Sequence, residues 1–386
     1  MIGFVILGLF LLLVLTFRIR AEYLTIFIVG YFLRLLFFIA DLTSLFPVFG
    51  SGADSEQFNF IAIQNVNYGS DIHLTNYSDF LTFLYSFTDC SRPLAQMINL
   101  YFGMGVLWIA AKTVDYLRLP LSRCKTALWI IAILPSLGGF SAILLREAWI
   151  EFFVAFSIYQ FVKWYVEGYF YYQITSIISA CLGAYMHDGV VGLIGGYLII
   201  FLIYSPIEKR IILTPTKILI VGLIFTGILF FSSSFLNDKS QVLFDEDSTS
   251  EDTFLKLTNY EDDGNSSYLT WLPQTDNPVI ALLFFPLKLI YLLFSPLPTE
   301  WGRFVDIEAF LIDSLFYLVM AWVIIRYKAY TKYRILKRSL ILSVLSALFL
   351  YSYGTYNAGT ALRHRAKFVE PISIIFALST RKTSKE

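Results

Sequence analysis

The chain has 386 residues, of which 57% are apolar or aromatic and 15% are charged, and its mean hydropathy is +0.66. Soluble domains average about 45–50% apolar and about 25% charged residues, so this composition excludes a soluble globular enzyme, a secreted disulfide scaffold and a disordered adaptor. The charges balance to zero and form no basic face of useful length, which argues against a nucleic-acid partner. The composition therefore predicts an all-α, polytopic membrane protein with room for about eleven helices of ~20 residues.

Continuous apolar runs predict where the chain crosses the membrane. The runs long enough for this role lie near residues 2–17, 24–40, 93–115, 127–145, 148–166, 170–186, 189–204, 217–235, 309–326, 339–353 and 367–380. The first run begins without basic residues, so we interpret it as a span and not as a cleaved signal peptide. No internal repeat or separate soluble domain is visible, and residues 1–386 are predicted to form one integral membrane domain.

Basic residues predict the orientation, because Lys and Arg concentrate in cytoplasmic loops. They follow alternate spans, at Arg18, Arg20, Arg118, Arg123, Lys125, Lys163, Lys209, Arg210, Lys217, the cluster 326–338 and the tail 381–385. All of them fall on one side only if the run 278–297, interrupted by Pro286, is re-entrant or interfacial. The resulting bundle has about eleven spans, an outer N-terminus and a cytoplasmic C-terminus.

Two long polar stretches face outward in this topology. Residues 41–92 form the first outer loop, and residues 236–308 form a second, which holds the acidic stretch 245–263 and the re-entrant segment. Clustered like charge with Ser, Thr and Asn is typical of a mobile solvated loop, and a lid over a site is the alternative. Nearly all the acids and all three histidines lie on this outer side, so we expect any chemistry there.

Two outer loops place carboxylates and an arginine at the membrane edge. In the first, glycines lie beside Asp54, a candidate general base or metal ligand, although Asp54 could equally cap the following amphipathic helix. In the second, Arg146 and Glu147 occupy a tight turn between spans, with Glu151 one turn deeper. Ionisable groups at that depth are costly and are usually paired or functional. An Arg146–Glu151 pair that only stabilises the turn is the alternative.

The third outer loop carries a histidine between two spans. His187 is followed by Asp188 and Gly189, and these neighbours favour a functional role more than an isolated histidine would. A histidine at the membrane edge is often a packed or capping residue, and the sequence does not distinguish the two roles.

The fourth outer loop, residues 357–365, is the strongest candidate for a binding site. Arg363, His364 and Arg365 lie on the outer side, against the usual distribution of positive charge. Arginine is well suited to bidentate phosphate binding, and Arg303 would reinforce the same positive pocket. Contact with lipid headgroups is the alternative. An anion site at this edge, with carboxylates and a histidine nearby, suits a sugar held on a long-chain isoprenoid phosphate or pyrophosphate.

Together these segments resemble bacterial multispan glycosyltransferases of the GT-C type. The matching segments are Gly52-Ala53-Asp54-Ser55, Arg146-Glu147-Ala148, Phe294-Ser295-Pro296-Leu297-Pro298 and Asn357-Ala358-Gly359-Thr360-Ala361-Leu362-Arg363-His364-Arg365. Within that group the chain is most similar to Wzy-type O-antigen or capsule polymerases in size, span count and outer arginines. The resemblance implies a GT-C-like bundle in the bacterial inner membrane, which joins undecaprenyl-pyrophosphate-linked repeat units on the outer face.

The resemblance also implies roles for these residues. The pyrophosphate would be held, and stabilised as a leaving group, by Arg363, Arg365, His364, Arg146 and Arg303, supported by Glu147 and Asn357. The acceptor hydroxyl would be deprotonated by Asp54 or His187, poised by Glu56 or Asp188. No cofactor is expected, although a divalent metal on Asp54 is the alternative. The implied partners are undecaprenyl-linked donor and acceptor glycans, membrane lipid and a chain-length regulator, with no nucleic acid.

Two other functions compete with polymerisation. A transferase could add one sugar from an undecaprenyl-phosphate-sugar donor. A flippase or transporter of lipid-linked oligosaccharides would need charges along a path through the membrane, for which Arg34 and Asp313 are the deep candidates. The charges cluster at one rim instead, which favours an enzyme.

Overall fold

The computed structural model describes residues 19–48, 50, 52–224, 226–227, 278–302, 304–355 and 357–380, and these are mostly helical. Several predicted features lie outside the described residues: the span 2–17, the end of the run 217–235, the acidic stretch 245–263, Arg303 and the basic tail 381–385.

The helices follow one another through the described chain with few strands between them. They are α1 Leu24–Thr43, α2 Ala53–Tyr68, α3 Asn76–Ser86, α4 Arg92–Tyr116, α5 Leu121–Ile133, α6 Pro135–Phe140, α7 Glu147–Glu167, α8 Phe170–Met186, α9 Val191–Ile203, α10 Pro215–Ile224, α11 Pro278–Phe294, α12 Phe304–Ala309, α13 Leu315–Arg326, α14 Arg334–Tyr353, α15 Ala358–Ala366 and α16 Val369–Leu378. A π-helix, Phe310–Ser314, joins α12 to α13, and 3-10 turns occupy Ala21–Tyr23, Asp188–Val190, Pro298–Glu300 and Thr331–Tyr333. The strands form two antiparallel pairs, β1 Tyr204–Ser205 with β2 Arg210–Ile211, and β3 Lys328–Ala329 with β4 Ser379–Thr380.

Four described helices are long and apolar enough to cross a membrane, namely Ala21–Thr43, Arg92–Tyr116, Asp306–Arg326 and Thr331–Ser352. These coincide with four of the predicted runs, so the prediction of an all-α membrane bundle is confirmed at this level. Helices α7, α8 and α9 also match predicted runs closely.

Three predicted stretches differ from the structure. The run 127–145 is broken between α5 and α6, because Pro135 begins a new helix. The run 367–380 starts inside a turn that separates α15 from α16. The outer loop 41–92 holds two helices, α2 and α3, and α3 begins with a capping box in which the Thr75 hydroxyl accepts from the Ser78 N–H.

Helix ends that carry the predicted cytoplasmic charges meet at one end of the bundle, here called the basic end. There the Tyr333 hydroxyl donates to the Leu117 carbonyl at 2.6 Å, and Arg20 pairs with Asp115 at 3.0 Å. The β3–β4 pair joins the start of the cluster 326–338 to the end of α16. The opposite end, here called the site end, gathers the four outer loops.

The core of the bundle consists of α4, α7, α8, α9 and α14, which pack extensively on one another. Helix α9 lies against the backbone of α14, since a Cβ built on Gly192 would lie 2.3 Å from the Ser346 carbonyl oxygen. Such close packing of helices through small residues is typical of membrane bundles. It brings the loop before α9 against the end of α14, at the site end.

Candidate functional site

The four outer loops predicted from the sequence converge at the site end. They contribute a set of side chains here called the site cluster: Asp54, Arg146, Glu147, His187, Tyr351, Arg363, His364 and Lys367. The cluster is assembled by the first turns of α2 and α7, the loop between α8 and α9, the end of α14, and the α15–α16 turn. Residues more than 300 positions apart in sequence thus touch one another.

An ion pair between Arg363 and Asp54 joins the first and fourth loops. The Arg363 side chain is 25% exposed and that of Asp54 is 44% exposed, so the pair lies at the surface of the cluster. Burial lowers the pKa of the Arg363 guanidinium, but the negative charges of Glu147 and Asp54 outweigh it and raise this pKa above its ordinary value. Arg363 is therefore a permanent cation.

Below this pair lies a buried carboxylate surrounded by cations. Glu147 is 3% exposed, and its Oε1 atom is 3.5 Å from the Nζ atom of Lys367, which is 1% exposed. The charges of Arg146 and Arg363 also act on Glu147. Arg146 is the residue before the first turn of α7. The alternative Arg146–Glu151 pair is not formed, because both carboxylate oxygens of Glu151 are buried without a hydrogen-bond partner among the described residues.

Three rings form the wall of the cluster. The His187 ring stacks on Tyr351 at a centroid distance of 4.7 Å and meets His364 edge-on at 4.9 Å. The loop can approach this closely only because residue 189 is glycine: a Cβ there would lie 2.7 Å from the Tyr351 ring. The glycine of the His-Asp-Gly sequence thus has a packing role.

Both histidines use one ring nitrogen in local hydrogen bonds. The Gly189 N–H donates to His187 Nδ1 at 3.3 Å, so the neutral His187 ring carries its proton on Nε2. His364 Nδ1 lies 2.8 Å from the Thr355 hydroxyl. His187 therefore combines the capping role with a place in the cluster.

Other predicted residues have structural partners. Glu56 pairs with Arg92 at 2.8 Å, and Arg92 also reaches Asp41 at 3.1 Å, which anchors α2 to the start of α4. Asn357 caps α15, because its side-chain oxygen accepts from the Thr360 N–H at 2.7 Å. Asp188 is exposed in the turn after His187. Because Glu56 pairs with Arg92, we do not assign it the predicted role of orienting a catalytic base.

Arg365 lies outside the site cluster, in contrast to the role that the resemblance implies for it. It is fully buried, and its Nε donates to Asp313 Oδ2 at 2.7 Å while its Nη1 donates to the Ser295 carbonyl at 2.6 Å. The Ser314 hydroxyl lies 2.9 Å from its Nη2. These contacts leave Arg365 as a clasp that joins α15 to the end of α11 and to the π-helix, and we do not assign it to phosphate binding.

Sequence reasoning missed two members of the cluster. Lys367 lies at the start of a predicted span, and Tyr351 lies at the end of another. The sequence therefore gives both the pattern of ordinary membrane-boundary residues. The spacing of Lys367 four residues after Arg363 was the available signal, because residues i and i+4 share one face of a helix.

Among the described residues, no three or more of His, Cys, Asp and Glu are grouped so as to hold a metal ion. Asp54 itself is paired with Arg363. The expectation of a site without metal stays a prediction. Comparisons of the chain with protein-family models, with curated proteins and with solved structures find no match.

Proposed function

We propose that this protein is a membrane glycosyltransferase of the polysaccharide-polymerase type, which joins undecaprenyl-pyrophosphate-linked repeat units. The observation that carries the proposal is the meeting of Asp54, Arg146, His187 and Arg363 at the end of the bundle opposite the basic residues. A reaction that transfers a glycan from a lipid pyrophosphate needs cations for the leaving group and a base for the acceptor. The site cluster supplies both at one membrane edge.

In this proposal Arg363 and Arg146 hold the pyrophosphate. The acceptor hydroxyl oxygen attacks the anomeric carbon of the donor, the bond from that carbon to the pyrophosphate oxygen breaks, and the lipid pyrophosphate leaves with the electron pair. Negative charge grows on the leaving group, where fixed cations stabilise it more than they stabilise the bound donor. Arg363 is charged at any physiological pH, as its raised pKa requires.

Asp54 is the base that the geometry favours. Its side chain is 44% exposed, so an acceptor hydroxyl can reach it, and the ion pair with Arg363 orients the carboxylate. His187 is the second candidate, but its Nδ1 accepts from the Gly189 N–H, and its other ring nitrogen carries the proton in the neutral form. In this arrangement His187 is better placed to donate a hydrogen bond than to remove a proton.

An apolar cavity between α7 and α8 offers a place for the isoprenoid tail. Its volume is about 230 Å³, and its lining includes Phe152, Phe153, Phe156, Ile178 and Leu182. Glu147 begins α7 about one turn above Phe152, and His187 follows α8 about one turn beyond Leu182. A lipid in this cavity would therefore have its headgroup at the site cluster.

The proposal keeps the topology inferred from the charges, with about eleven crossings, an outer N-terminus and a cytoplasmic C-terminus in the bacterial inner membrane. The position of α11 supports a re-entrant or interfacial segment. Phe285 packs on Phe349 near the site end of α14, and the Leu293 carbonyl accepts from Arg365 on α15 at 3.0 Å. Both parts of α11 thus contact the half of the bundle that holds the site cluster.

The contacts of Arg34 and Asp313, the two deep charges that a transport path would use, support an enzyme over a flippase. Arg34 donates to the carbonyls of Gly30, Ile131 and Ala132 at 3.0–3.2 Å, and Asp313 accepts from Arg365. Charges engaged in this way stabilise helix contacts and do not line a transport path.

The proposal is tested by deleting the gene in its host and complementing it with Arg363→Ala. We expect both strains to lose the ladder of surface-glycan chain lengths and to retain one capped repeat, while the Arg363→Ala protein accumulates normally. Arg338→Ala, which changes an exposed arginine at the basic end, is the matched control and should restore the full ladder.

Other results would reassign the function. An intact ladder with bands of altered mass in the deletion strain indicates a transferase of one sugar. Lipid-linked repeats trapped on the cytoplasmic leaflet indicate a flippase. A normal ladder with Arg363→Ala contradicts the role of the site cluster.

A further inference from the structure

The floor of the site cluster contains buried polar atoms that make no hydrogen bond within the described part of the chain. Within the described part of the chain, Tyr351 Oη, Lys367 Nζ and Glu147 Oε2 are buried and make no hydrogen bond. A buried donor without an acceptor costs about 1–3 kcal/mol. Here three such atoms, two donors and one acceptor, lie on neighbouring side chains, where one ligand can contact more than one of them.

These atoms belong to side chains that contact one another. Lys367 Nζ lies 5.0 Å from the centre of the Tyr351 ring and 3.5 Å from Glu147 Oε1. The charges of Arg146 and Glu147 also act on Tyr351. Arg363 precedes Lys367 by one helical turn and is more exposed, so it links the buried donors to the surface of the cluster.

The unpartnered donors of the floor favour an anionic ligand. Two of the three atoms without a hydrogen bond belong to donors, and the cations Arg146 and Arg363 lie near these donors, beside the buried carboxylates of Glu147 and Glu151. A phosphoryl group carries several acceptor oxygens and no obligatory donor, so it would satisfy Tyr351 and Lys367 at once. The Glu147 carboxylate, 3.5 Å from Lys367 Nζ, holds this amine beside the same point.

We infer that Tyr351 and Lys367 bind a phosphoryl group of the lipid pyrophosphate, beneath Arg363 and Arg146. This inference rests on the proposed function, and it names two further residues that bind the leaving group of the proposed reaction. Tyr351 Oη donates one hydrogen bond and Lys367 Nζ a charge-assisted one, while the rings of His187 and His364 hold Tyr351 in place.

The test measures binding of undecaprenyl pyrophosphate to the purified full-length protein in detergent micelles. Tyr351→Phe and Lys367→Met should each weaken binding about tenfold or more, which is the usual effect of losing a hydrogen bond to a charged group. The matched controls are Tyr317→Phe, which removes another buried hydroxyl without a partner, and Lys337→Met, which removes a buried lysine near the basic end. Both should bind within twofold of the wild type.

Undecaprenol, which has the same tail but no phosphate, separates a phosphate contact from a change in the tail site. It should bind the wild type, Tyr351→Phe and Lys367→Met alike. If the wild type binds the pyrophosphate no better than the alcohol, the proposed function itself is wrong.

If the wild type prefers the pyrophosphate, Arg363→Ala abolishes that preference and the two variants bind normally, the proposed function stands and the inference is overturned. Tyr351→Phe removes only one oxygen, so it decides the question even if Lys367→Met fails to fold.

Discussion

Arg363 and Arg365 are two residues apart on one short helix, yet they have opposite environments. Residues i and i+2 of an α-helix point in nearly opposite directions, whereas i and i+4 share a face. Arg363 therefore joins Lys367 in the site cluster, and Arg365 points into the bundle toward Asp313. Their proximity in sequence predicts one phosphate-binding pair, but helix geometry places one arginine in the site cluster and the other in the interior of the bundle.

Arg365→Met is expected to destabilise the bundle by about 3–5 kcal/mol, because it leaves the buried Asp313 carboxylate without its cation. The double variant Arg365→Met with Asp313→Leu should recover part of this loss, since no buried charge is then unpaired. Unfolding by SDS in mixed micelles measures both free energies. A single variant as stable as the wild type would show that Arg365 is not the clasp we describe.

At the scale of helices, the close contact between α9 and α14 positions the His187 loop. Gly192 and Gly196 lie directly on the backbone of α14, where an added Cβ would be 2.3 Å and 2.5 Å from its nearest atom. The apolar periodicity of α9 predicts a membrane helix and not this partner. The sequence therefore does not predict the contact between α9 and α14, although it does show the glycines that permit it.

Gly192→Ala is expected to cost about 1–3 kcal/mol, because the methyl group meets backbone that cannot move aside cheaply. Gly222→Ala is the matched control, since nothing lies within 4 Å of a Cβ on that helical glycine. There the substitution should be neutral or stabilising by up to ~1 kcal/mol. Thermal unfolding in detergent compares the two, and equal effects would contradict the close approach.

The outer loop 41–92 contains helices that its polar composition does not predict. Its polar character predicts an outward segment, but the chain there folds into α2 and α3. Arg92 anchors α2 through Glu56, two residues after Asp54. The helix cap predicted at Asp54 is wrong, because the residue before the first turn of α2 is Gly52 and no side chain caps that turn. Asp54 instead lies within the first turn of α2 and pairs with Arg363.

At the scale of the whole molecule, the ends of the helices sort by charge. The basic loops meet through the Tyr333–Leu117 and Arg20–Asp115 contacts, and the four outer loops meet at the site cluster. Alternating helices must bring every second loop to the same end, so the charge pattern and the tertiary contacts describe the same arrangement.

Tyr68→Cys and Lys332→Cys, each in a variant whose native cysteines are replaced, test the orientation. Both positions are exposed and they lie at opposite ends of the bundle. A membrane-impermeant maleimide added to intact spheroplasts should label the cysteine at position 68 and leave that at position 332 unlabelled until the membrane is permeabilised. The reverse pattern would place the site cluster in the cytoplasm and contradict the proposed substrate side.

The sequence alone determined the helical class of this protein and the apolar runs long enough to cross a membrane, and it predicted the sides on which the loops lie. Hydropathy and loop charge are sums over many residues, so they can be calculated without knowing any tertiary contact. Only the tertiary structure decided which polar residues work together. It placed Asp54 on Arg363, gave Arg365 to Asp313 and added Tyr351 and Lys367 to the cluster. Those pairings depend on how helices far apart in sequence rotate and pack against one another. A local sequence pattern does not specify this relative rotation and packing.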